Sequence, residues 1–66
     1  MAKVTNVVLD YRRKKNVTQK DLAHSVNVTR QTIIAIEKGN YTPSVELALK
    51  IAQFFDTSVD ELFTLE

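Results

Sequence analysis

Residues 19–38, QKDLAHSVNVTRQTIIAIEK, leave the chain few ways to fold. Leu22 and Val26 stand four apart and so share one face of a short helix, while Val28, Ile33 and Ile36 supply a facing surface on a second. Ala23 lies where the two helices come closest, and a longer side chain there would push them apart. Asn27 ends the first helix at a position that calls for positive φ, which Asn tolerates best after Gly. Thr29 then caps the second helix. Two short helices must therefore meet at a sharp corner, and the remaining chain has to pack around it.

That corner is the geometry of a helix-turn-helix, which sets its second helix in the DNA major groove. Three more helices account for nearly everything else. The first spans about residues 5–15 and turns Val8 and Tyr11 inward with Arg12 beside them. The second, about 19–26, starts behind Thr18, whose Thr18-x-x-Asp21 spacing resembles a capping box, and the third, about 30–38, is stopped by Gly39. Ser44 caps a fourth helix reaching about Phe55, with Val45, Ala48, Ile51, Ala52 and Phe55 as its apolar stripe. Leu47, Leu49 and Phe54 fall off that stripe, which makes the helix apolar nearly all round. A fifth begins at Ser58 with a full capping box to Glu61 and turns Val59, Leu62 and Phe63 inward. No useful β-alternation is visible, so the expectation is an all-α chain of five helices forming a single domain over residues 1–66.

The net charge of +1 hides a strong polarity. Residues 1–38 carry Lys3, Arg12, Arg13, Lys14, Lys15, Lys20, Arg30 and Lys38 against Asp10, Asp21 and Glu37. Residues 39–66 carry Lys50 against Glu46, Asp56, Asp60, Glu61 and Glu66. Such a chain can present a basic face to phosphate and turn its acidic end away. Cysteine is absent, which removes disulfides and thiolate metal sites and suits a reducing cytosol. His24 is the only histidine and has no H-x-x-x-H partner, so neither a metal nor another cofactor is expected. No Gly-rich phosphate loop or nucleophile elbow is present, and an enzyme is not expected. The N-terminus has no signal-peptide run and no stretch approaches a membrane span, which predicts a soluble cytoplasmic protein without a membrane partner or an evident small-molecule ligand. Three N-x-T triplets, at Asn16, Asn27 and Asn40, read as turns, two of them ending in the caps Thr18 and Thr29.

VTQ-x-x-LA, TRQTI-x-x-IE-x-G, the PS before the fourth helix and KIA within it together resemble the Cro/C1-type, or XRE-type, helix-turn-helix family over about residues 5–63. The resemblance implies a lambda-repressor-like five-helix domain that binds a palindromic operator as a homodimer, usually as a repressor. It also implies that Gln19 grips a phosphate, and that Arg12 and Glu37 form a partly buried ion pair joining the first helix to the third. An antitoxin-like module, binding DNA secondarily to a protein partner, is the alternative.

With Ile33 and Ile36 in the core, the turn of about 100° per residue points Gln31 and Lys38 outward, with Ile34 and Ala35 beside them and Arg30 and Thr32 on the flanks. Because the N-terminal part of a recognition helix enters the groove deepest, Arg30, Gln31 and Thr32 are the base-reading candidates, Arg for guanine and Gln for adenine. Arg30 could instead hold a phosphate. Ile34 either meets a thymine methyl or another apolar surface, or is a stray surface isoleucine; Ala35 completes the reading face. Phosphate contacts are expected from Gln19 and Thr29 at helix starts, and from Lys38, Asn40 and Tyr41 around the exit of the third helix. Lys14, Lys15 and Lys20 are weaker phosphate candidates, expected rather to be solvated. Leu47, Leu49, Phe54 and Leu65 exceed what so small a core can bury, which predicts a two-fold contact that also uses Phe63 and Thr64.

Overall fold

Val8, Leu22, Ile33, Ile36 and Ile51 lose all contact with solvent, one from each of the first three helices, a second from the third and one from the fourth. The computed structural model describes residues 3–66, as β1 (Val4–Asn6), α1 (Val8–Lys14), α2 (Gln19–Ser25), α3 (Arg30–Glu37), α4 (Val45–Phe54), α5 (Val59–Leu62) and β2 (Phe63–Leu65). Leu22, Ala23 and Val26 meet Ile33 and Ile36 across the corner, and Leu47, Ile51, Ala52, Phe55 and Leu62 close the core from the other side. Tyr11 and Phe54 both pack on Phe55, with ring centroids 5.7 and 5.0 Å away.

The caps follow local chemistry. Thr18 forms a complete capping box with Asp21, while Thr29 and Ser44 accept the backbone N–H groups of Thr32 and Leu47. Ser58 accepts from Glu61, but the return half of that expected box is absent and α5 makes a single turn. Asn27 has φ of 61° and Gly39 has φ of 80°, the left-handed conformation that lets a helix end within one residue.

Four expectations are corrected. The chain is not all-α: β1 and β2 pair antiparallel with Val4 opposite Leu65 and Asn6 opposite Phe63, so both ends of the described chain are tied together. The first helix therefore begins at Val8 rather than Thr5, because the Asn6 carboxamide accepts the Val8 N–H at 3.1 Å and donates to the Ile36 carbonyl at 2.9 Å. The fifth helix ends at Leu62, since Phe63 turns into β2 with φ of −125° and ψ of 136°. The fourth correction concerns the face of α4. Leu47, Ala48, Ile51, Ala52 and Phe55 form its buried arc, whereas Val45, expected inward, is 77% exposed. Leu47 is consequently a core residue and Phe54 is half-buried against the core, which removes both from the free surface they were expected to provide. Leu49 and Leu65 are exposed, Thr64 is exposed on β2, and Phe63 is partly buried.

Candidate nucleic-acid interface

α3 is held from beneath and left free above. Ile33 and Ile36 anchor it in the core, so the same turns must carry Arg30 and Gln31 into solvent. Thr32, Ile34 and Ala35 are half-buried along its flanks. The Thr32 hydroxyl lies 3.2 Å from the Thr29 hydroxyl, and Thr29 also accepts the Thr32 N–H, so both threonines already serve the helix start. At the other end Lys38, Asn40 and Tyr41 are all exposed. The Asn40 N–H is used inside the fold, donating to the Ala35 carbonyl at 2.9 Å, which leaves its side chain for outside contacts.

The lower end of α3 is fixed by charge. Arg12 donates Nε to Glu37 Oε2 at 2.8 Å and Nη2 to Oε1 at 3.2 Å, with the two side chains only 14% and 6% exposed. The remaining guanidinium nitrogen, Nη1, donates to the Val17 carbonyl at 3.0 Å. A bidentate pair of this kind fixes orientation as well as charge, so α1 and α3 are held in register. Gln19 joins the same group, donating Nε2 to Glu37 Oε1 at 3.0 Å. Its amide is thus partly committed inside the protein, and only its remaining N–H and its carbonyl are available outward.

Asn6 was not anticipated as part of this arrangement. It gives the Ile36 carbonyl, which already accepts the Gly39 N–H at 2.9 Å, a second hydrogen bond and so fastens the end of α3 to the segment before α1. The only local signal is an Asn two residues before an apolar helix start; its partner lies 30 residues away.

An anchored helix with a polar N-terminal end, raised on a tight corner and flanked by cations, defines a DNA-binding domain of the helix-turn-helix class. Residues 8–62 match the helix-turn-helix family, and the chain belongs to it as a Cro/C1-type DNA-binding transcriptional regulator. It is 55% identical over 56 residues to an HTH-type transcriptional regulator of Methanocaldococcus jannaschii, covering 85% of each chain. It is 31% identical over 55 residues to the cryptic phage CTXphi transcriptional repressor RstR of Vibrio cholerae, covering 83% of this chain and 50% of that one. A solved chain from Bacteroides fragilis superimposes with a TM-score of 0.84 over 92% of this chain and 98% of that one; at 20% identity this speaks for the fold alone. Among the described residues, no helix is long and apolar enough to cross a membrane.

Proposed function

We propose that the protein represses transcription by occupying a palindromic operator as a homodimer, with α3 of each copy in the major groove. The observation that carries this reading is the pairing of Ile33 and Ile36 at 0% exposure with exposed Arg30 and Gln31 at the leading end of the same helix. Gln31 is the principal reader, with a carboxamide suited to adenine N6 and N7, and Thr32, Ile34 and Ala35 complete the reading face. Arg30 stands where both bases and backbone are within reach. Lys38, Asn40 and Tyr41, with Gln19 and Thr29, hold phosphates, which position the domain and carry no sequence information of their own.

We centre the dimer surface on the outer side of α4, which keeps Leu49, Phe63 and Leu65 of the residues expected from sequence and sets aside Leu47 and Phe54. Pro43, Val45, Ala48, Leu49, Val59 and Phe63 line an apolar groove of about 350 Å³, with Val45 77% and Leu49 56% exposed along its edge. Leu65, 69% exposed, follows Phe63 on β2. To serve adjacent major grooves, a two-fold contact there has to set the recognition helices about 34 Å apart, one helical turn of DNA.

The test is a comparison of duplexes. Sites selected by the wild type from a random duplex library, and scrambled versions of them, are titrated with wild type and Gln31→Ala. The substitution is expected to cost about 1–3 kcal/mol on the selected site and little on the scrambled one. Equal losses on both would remove Gln31 as a reader, and failure of the library to converge would remove sequence-specific binding.

A further inference from the structure

Past Gln31 the outer face of α3 runs out of hydrogen-bonding groups. The residues three and four positions on, which lie beside Gln31 one turn further along the helix, are Ile34 and Ala35, and the next polar side chain on that face is Lys38. Thr32, on the flank, already has its hydroxyl paired with that of Thr29 at 3.2 Å. Ile34 does not owe its place to the core. Ile33 and Ile36 fill the interior, whereas half-buried Ile34 belongs, among the described residues, neither to the buried cluster nor to the partly buried side chains packed against it.

A lone surface isoleucine is ordinary, but this one sits where a base pair has to pass. One helical turn advances about 5.4 Å, more than one and less than two base-pair steps of about 3.4 Å, so with Gln31 on one base pair Ile34 and Ala35 face the next pair or the one beyond. What they can accept there is narrow. Adenine, cytosine and guanine present N–H donors or N and O acceptors in the major groove, and pressing these against hydrocarbon removes their water and returns no hydrogen bond. Thymine alone carries a methyl group there, and that methyl gains from leaving water.

We infer that Ile34, with Ala35 beside it, reads the methyl group of a thymine one or two base pairs beyond the pair read by Gln31. The inference rests on the DNA-binding reading above and deepens it: Ile34 is a specificity-determining residue, and an A·T pair at that position is part of the site. Recognition by α3 then depends on a hydrocarbon contact as much as on the Gln31 carboxamide.

The experiment alters the DNA and leaves the protein intact. In a site that the full wild-type chain selects from a random duplex library, each thymine is replaced in turn by deoxyuridine, which removes the methyl and keeps the base pair with its hydrogen-bonding groups. The position read by Gln31 is the one whose base preference Gln31→Ala loses. At a thymine within one or two base pairs of it, deoxyuridine should weaken wild-type binding about fourfold, the share of one buried methyl. Ile34→Ala should bind the thymine and deoxyuridine duplexes alike at that position, while Gln31→Ala keeps the difference. Each comparison sets two duplexes against one protein, so a variant's smaller folded fraction cancels from the ratio, and the wild-type scan needs no variant at all. A wild type indifferent to deoxyuridine at every thymine near the Gln31 position, or an Ile34→Ala protein that keeps the full penalty, would overturn the inference and leave sequence-specific binding standing. A wild type that selects no site defeats both readings.

Discussion

Glu37 accepts two hydrogen bonds from Arg12 and one from Gln19, so a single carboxylate at the end of α3 ties down the last turn of α1 and the first of α2. Because the pair is largely buried, removing one partner leaves the other charge desolvated and unmatched. Glu37→Ala is expected to cost on the order of 3 kcal/mol, a large share of the stability of so short a chain, whereas Arg12→Met combined with Glu37→Leu should recover most of the loss. Urea unfolding checks both: a Glu37→Ala midpoint equal to the wild type would mean that the pair contributes nothing. The Arg12–Glu37 contact could be anticipated because a resemblance supplied the partner, and Ile33 and Ile36 because periodicity did. The inward turn of Gln19 could not, since a polar residue opening a helix looks the same whether its amide faces a phosphate or a carboxylate 18 positions away. Asn6 poses the same difficulty, for its role depends on a carbonyl that only the folded chain brings near.

Four helices end alike. Asn16, Asn27, Gly39 and Asp56 all have positive φ, and after each the chain donates N–H groups back to the carbonyls of the final turn. Three of these endings run directly into the next N-cap as Asn16-Val17-Thr18, Asn27-Val28-Thr29 and Asp56-Thr57-Ser58, a three-residue connector used three times. Asp56 is the least suited occupant, because a side chain in this conformation costs about 1 kcal/mol or more and its charge opposes the negative end of the α4 dipole. Asp56→Gly should therefore stabilise the protein by about 1 kcal/mol and raise Tm by roughly 4–8 °C, measured by thermal unfolding. A lowered Tm would show that Asp56 makes a contact worth more than the strain. Such connectors make the helices legible in the sequence, because each ending is chemistry confined to a few neighbours. The small sheet was not: three-residue strands are too short to show alternation, and β1 needs a partner from the far end of the chain. The face of α4 was also misjudged, as Val45 and Leu47 are equally apolar and only tertiary packing decides that Leu47 goes inside.

At the scale of the whole molecule the exposed apolar groove and the unpaired cations around the first three helices lie on different elements, and the one cation of α4, Lys50, is paired with Glu46. The cations gather on α1, α2 and the start of α3, whereas Val45, Leu49 and the groove beside them belong to α4, its preceding loop and α5. A second copy seated on that groove would leave both basic faces free for one duplex, which an association through α3 could not do. Leu49→Asp is the informative substitution, because Leu49 is 56% exposed and its replacement should leave the monomer folded; Leu47→Asp would confuse association with unfolding, since Leu47 is only 7% exposed. Sedimentation of the wild type is expected to give a dimer that weakens on dilution, and Leu49→Asp should sediment as a monomer with an unaltered circular dichroism spectrum. On DNA the same variant should bind a single half-site as the wild type does but lose the cooperative gain on a full palindrome, since only the tie between the two half-site events has been cut. A wild type that stays monomeric at high concentration and binds the two half-sites independently would remove the dimer, and with it the operator symmetry, while leaving the reading of α3 intact.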